Sequence, residues 1–163
     1  MAGDQTSIAD LIAVQEGRSP IPLLDDAAIR ELLASRPRIA LVGASVKPGR
    51  PSFGVMAALL GFGYDVVPVN PRDDIVQGLR CYPTVVDAVA ATGPVQLVDV
   101  FRRAELCEDH ARDAVAAGAR CLWLQLGIAS ERAGRVAHDA GLALVMDRCT
   151  LIEHQRLLGG RIW

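Results

Sequence analysis

Residues 39–52 read IALVGASVKPGRPS. Ile39-Ala-Leu-Val42 is a short continuous apolar run, the pattern of a strand buried on both faces rather than one with a wet side. Gly43 ends it, a polar, glycine-bearing turn follows, and helical character returns over Val55 to Phe62. The next apolar run, Tyr64 to Val69, completes a strand, helix, strand unit. A glycine directly after the first strand lets the backbone approach a ligand closely. The helix that follows presents unpaired N–H groups and a positive dipole end to an anion.

The alternation continues down the chain. A weak helix over Thr84 to Ala91 leads to a strand over Val95 to Phe101, and a helix over Ala104 to Ala117 is stopped by Gly118. Cys121 to Leu124 is a fourth strand, Ser130 to Ala140 a helix stopped by Gly141, Leu142 to Met146 a fifth strand, and Thr150 to Leu157 a last helix. Strands alternating with helices of this length require parallel, right-handed crossovers. The expected fold is therefore α/β: a Rossmann-like doubly wound five-stranded parallel sheet in a three-layer αβα arrangement, with ligands at the carboxyl ends of the strands. Towards the N-terminus, Asp25 or Asp26 starts a helix through Ala34. Residues 1–24 read as an appendage to a domain over 25–163, with a short helix capped by Ser7 and running through Val14, then a Pro-interrupted connector.

Bulk properties agree. The 163 residues suit one domain, and with 51% hydrophobic but only 4% aromatic residues the core must be built from Val, Leu, Ile and Ala. A net charge of -2 with both signs scattered leaves no basic stripe for a nucleic-acid backbone. No apolar run approaches the roughly 18 residues of a membrane span, and the polar start is unlike a secretion signal, so a cytoplasmic location is expected. Cys81, Cys107, Cys121 and Cys149 form no CxxC pair and read as free buried thiols. Protein partners or a homo-oligomer stay open.

The turn after the first strand carries the chemistry. Gly43 and Ala44 bring the backbone close, Ser45 adds a hydroxyl, and Lys47, the chain's only lysine, and Arg50 add charge for a diphosphate. This is not GxGxxG, because Ser45 stands where the second glycine would be, and GK[ST] is missing as well. An NAD site also needs an acidic residue near the end of the second strand. The chain there reads Asn70-Pro71-Arg72, which disfavours plain NAD. Arg72 suits a phosphate on the adenosine ribose, either the 2′-phosphate of NADP or the 3′-phosphate of coenzyme A (CoA), and residue chemistry does not separate the two.

VGAS after the first strand, VPVNP at the second, VDVFR at the third, WLQLGI at the fourth and VMDRC with a following Glu at the fifth resemble the small bacterial CoA-binding proteins over roughly Arg38 to Leu157. In plan the chain is also similar to the nucleotide-binding domain of the succinyl-CoA synthetase α-subunit. The resemblance implies a CoA diphosphate on Ser45, Val46, Lys47 and Pro48, a basic contact at Arg72, and further contacts at Leu124, Gln125 and Leu126. The synthetase's phosphorylated histidine belongs to a second domain that has no counterpart here, so ligase chemistry does not transfer.

Phe101 and Arg102 end the third strand on the ligand side, where a ring can pack on adenine and a guanidinium can meet a phosphate. Gln125, ahead of Gly127, is placed to hydrogen-bond the pantetheine amides. His110, His138 and His154 read as surface or packing residues, and the Glu153–Arg156 pair as surface stabilisation. Cys107 and His110, one helical turn apart, are too few for a metal site. Cys149 follows Arg148, a cation able to lower its pKa and make it reactive. The expected function is binding of CoA or an acyl-CoA without catalytic residues, as carrier, sensor or regulator. The alternatives are an NADP-dependent oxidoreductase using the same groove, for which no proton donor can be named, and a regulatory module docking a partner through residues 1–24.

Overall fold

The computed structural model describes residues 2–160. Five strands, β1 (Ile39–Val42), β2 (Val66–Val69), β5 (Leu97–Val100), β6 (Cys121–Leu124) and β7 (Ala143–Val145), form one parallel sheet in the order β2-β1-β5-β6-β7. The expected five-stranded Rossmann-like sheet is thus present. The chain works outward from β1 to β2, then crosses back to place β5 on the other side of β1, so the topological switch point lies between β1 and β5.

Side chains alternate across this sheet. Ala40, Val42, Val98, Val100, Leu122 and Leu124 pack under α4 (Val85–Thr92), α5 (Cys107–Ala116) and α6 (Glu131–Asp139). Ile39, Leu41, Leu97, Cys121 and Trp123 pack against α2 (Asp26–Ala34), α3 (Pro51–Gly61) and α7 (Thr150–Leu158). Burial on both faces explains the unbroken apolar runs. Local chemistry sets several helix starts: Asp25 accepts from the Ala28 N–H at 2.9 Å, Thr84 from Asp87 at 3.1 Å and Ser130 from Ala133 at 3.1 Å.

β2, β5 and β7 are shorter than the apolar runs that signal them, while β1 and β6 match theirs. Central β1 offers four residues, and β2 and β5 pair only across from those four, so Tyr64, Val95 and Phe101 fall outside the ladder. The expected helix over Ala104 to Ala117 divides into a 3-10 turn, Ala104–Leu106, and α5. Ser7 is not a cap, because α1 spans Ala2–Gln15 and contains it. Residues before Asp25 lie against the domain. Leu11, Val14 and Leu23 pack on the core, Ile21 is buried, and the Asp10 carboxylate accepts from the Glu131 N–H at 2.9 Å at the start of α6.

One element had no counterpart in the sequence reading. β3 (Ile75–Val76) and β4 (Leu79–Arg80) form an antiparallel hairpin over Gln77 and Gly78, both with positive φ, as a primed two-residue turn requires. It returns the chain to Tyr82, which bonds to Pro68 and Asn70 along the free edge of β2.

Candidate functional site

At the switch point Gly43 has φ +88°, and a Cβ there would lie 2.8 Å from the Phe101 carbonyl oxygen. From the sequence, this glycine is expected to let the backbone approach a ligand closely. It also lets β1 and β5 leave the sheet side by side, with the groove beyond. A groove of about 720 Å³ opens there, within the usual range for small-molecule sites. It runs across the carboxyl ends of β2, β1, β5 and β6 to the N-terminus of α7.

Of the expected site residues, Gly43, Ala44, Ser45, Lys47, Arg50, Asn70, Pro71, Arg72, Phe101, Arg102 and Gln125 all line this groove. So do Val46 and Leu126, whereas Leu124 is buried in the core. Gly127 does not line it. Its N–H is turned to the Asp147 carboxylate at 2.7 Å, and its positive φ serves that turn.

Lys47, Arg50, Arg72, Arg102 and Arg103 all reach the groove, and Asp73 is the one carboxylate in its lining. None of these five cations forms an ion pair among the described residues; the arginines that do are Arg18, Arg38, Arg112, Arg132, Arg135, Arg148 and Arg156. An acidic chain therefore concentrates unneutralised positive charge in one cleft. α3 adds to it: Arg50 is its N-cap without a side-chain cap bond, Pro51 opens the helix, and no acidic residue occupies the first turn. Ser52, 3% exposed, lines the groove, and its hydroxyl has no partner among the described residues. Ser52 is not among the expected site residues; its signal in the sequence is its place as the second residue of a helix behind a glycine-bearing loop, where a hydroxyl meets an anion.

Asn70 has a supporting role. Its Nδ2 donates to the Ala44 carbonyl at 2.7 Å and to Asp73 at 3.2 Å, while its Oδ1 accepts from the N–H groups of Arg72 and Asp73 at 2.7 and 2.8 Å. Every hydrogen-bonding group of the side chain is used, so it shapes the walls and positions Arg72.

α7 closes the far end through a cluster that corrects one expectation. Glu153 is 6% exposed rather than on the surface. It accepts from Arg148 at 3.2 Å and from Arg156, which also grips Asp26 at 2.7 Å and so fastens α7 to α2. His154 is buried beside it, stacked on Phe62 with ring centroids 3.9 Å apart and bonded to the Tyr64 hydroxyl at 2.6 Å, a packing role. Arg148 is consequently committed to Glu153 and Asp26 and leaves Cys149 without a cation. Cys149 lines the groove, and burial pushes its thiol up, as the reading of a buried free thiol expects and away from the reactive thiolate that an uncommitted cation beside it would favour. Cys107 and Cys121 are pushed up to about 12, also by burial first. Among the described residues no cluster of three or more His, Cys, Asp or Glu could hold a metal.

Residues 37–155 match the model of the CoA binding domain family. The chain belongs to that family. This CoA binding domain is 34% identical over 128 residues to the uncharacterized protein YneT of Bacillus subtilis, covering 78% of this chain and 93% of that one. It is also similar to a hypothetical protein of known structure from Pyrococcus horikoshii, with 43% identity, a TM-score of 0.80, and 83% and 94% of the two chains covered. A third likeness is to the dinucleotide-forming acetyl-coenzyme A synthetase 1 of Ca. Korarchaeum cryptofilum, at 25% identity and a TM-score of 0.60. There the CoA binding domain spans 68% of its own length and only 26% of the synthetase. No helix among the described residues is long and apolar enough to cross a membrane.

Proposed function

We propose that this domain binds CoA or an acyl-CoA in the groove at the switch point, as a carrier, sensor or regulator. The observation that carries the proposal is the set of five unpaired cations around an uncapped helix N-terminus, in a groove with one carboxylate. CoA brings a diphosphate and a 3′-phosphate, and its pantetheine arm needs polar partners further along. Strands are about 4.8 Å apart, so Gln125 lies roughly 10 Å across the sheet from the β1 turn, within reach of that arm. The diphosphate sits on Ser45 to Arg50 and Ser52, the 3′-phosphate at Arg72, and the arm passes Phe101 and Arg102 towards Gln125. Four buried free thiols suit a reducing cytoplasm.

Calorimetry on protein stripped of endogenous ligand, with CoA, acetyl-CoA, NAD, NADP and ATP, tests this. CoA and acetyl-CoA bind most tightly on this reading; NADP binding without CoA binding would make the groove an oxidoreductase site instead.

A further inference from the structure

The charge in the groove is one-sided. Its five cations and its one carboxylate all come from the chain up to Arg103, at the carboxyl ends of β1, β2 and β5. Later segments contribute Leu106, Gln125, Leu126, Ile128, Cys149 and Ile152, and none of these carries a charge. Cys149 belongs with them because burial keeps its thiol protonated. The bond from Gln125 Nε2 to Thr150 Oγ1, 3.0 Å, sets the first turn of α7 beside the end of β6, so these side chains share one half of the groove. That half is also open to water. Seven large apolar side chains are exposed among the described residues, and Leu126 (63%) and Ile152 (47%) are two of them. Exposed apolar side chains gathered in a groove mark a surface that a ligand or partner covers.

We propose that the thioester this domain holds carries an uncharged, apolar acyl group, seated on Leu126, Ile128 and Ile152. The proposal deepens the CoA reading above and rests on it. The phosphates take the charged half, so whatever is joined to the sulfur at the other end of the arm meets the uncharged half. Free CoA ends in a thiol and leaves these side chains in water. An alkyl chain covers them, and the gain follows the apolar area removed from water. A carboxylate in the same place would give up its hydration and find no cation. Arg148, beside Cys149, is committed to Glu153 and Asp26. Asp99, wholly buried in β5 and bonded to Gln125 and Thr150, brings a carboxyl group to this half and no positive charge. The same half therefore selects against acyl groups that end in a carboxylate.

The test is calorimetry with CoA and its acetyl, butyryl, hexanoyl and succinyl thioesters. Butyryl and succinyl groups differ only in a terminal methyl against a terminal carboxylate. The expected result is that affinity rises roughly two- to four-fold per added methylene from acetyl to hexanoyl, and that succinyl-CoA binds roughly ten-fold more weakly than butyryl-CoA. Leu126→Ser and Ile152→Ser are each expected to flatten the chain-length slope, and Leu126→Arg to narrow or reverse the gap between butyryl-CoA and succinyl-CoA. Equal affinity for CoA and all four thioesters overturns the proposal, leaves CoA binding standing and assigns the apolar half to a protein partner. Tighter binding of succinyl-CoA than of butyryl-CoA by the wild type overturns it as well, and so does a slope that survives both serine variants. Failure of CoA and every thioester to bind removes the underlying reading instead. The wild-type series needs no variant, so a misfolded variant leaves the test in force.

Discussion

The Asn70 side-chain amide donates to the Ala44 carbonyl at 2.7 Å, tying the end of β2 to the turn that leaves β1. Through its Oδ1 the same side chain holds the Arg72 backbone, so the two walls of the groove are one hydrogen-bonded unit. Asn70→Ala is expected to lose about 1–3 kcal/mol of stability and to weaken CoA binding without removing a ligand contact. Urea denaturation and calorimetry on one preparation measure both.

Lys47 and Arg50 are exposed and unpaired on the groove loop proposed to hold the diphosphate. Lys47→Ala and Arg50→Ala are each expected to weaken CoA binding by roughly 1–3 kcal/mol and to leave thermal stability nearly unchanged, because neither supports the fold. Binding should also weaken as salt is raised, with a shallower slope in each variant.

Arg72 is placed by Asn70 beside the groove at the end of β2. Dephospho-CoA, which lacks the 3′-phosphate, is expected to bind less tightly than CoA to the wild type and about equally to Arg72→Ala. Equal binding of the two ligands by the wild type would show that Arg72 reads another group.

Asp99 also makes stability depend on pH. Its folded pKa of about 7 lies above the ordinary 3.8, so ionisation favours the unfolded chain. Its stabilising contribution is complete below about pH 4 and is lost as pH rises through about 7. The unfolding free energy of the ligand-free protein, from urea denaturation, is expected to fall between about pH 5 and 8.5 by on the order of a few kcal/mol, and to fall less in Asp99→Asn.

The elements themselves were legible in the sequence. Ile39–Val42 and Cys121–Leu124 could be read to the residue, because strands covered on both faces leave unbroken apolar runs bounded by polar turns. The loop that lines the groove was legible too, since Gly43, Ser45, Lys47 and Arg50 are close together in the chain. What the linear order did not contain is which side chains exhaust one another's hydrogen bonds. Glu153, three residues from Arg156, looked like a surface partner until α2 and α7 closed over it. Gln125 and Asp99 are 26 residues apart, and only the pairing of β5 with β6 makes them neighbours. Gly43 could be read as needing space, but that the space lies against the Phe101 carbonyl follows from β5 returning beside β1. Periodic burial is a local property and is written along the chain. Strand order and the partners of buried polar groups depend on contacts between distant segments, and only the folded sheet decides them.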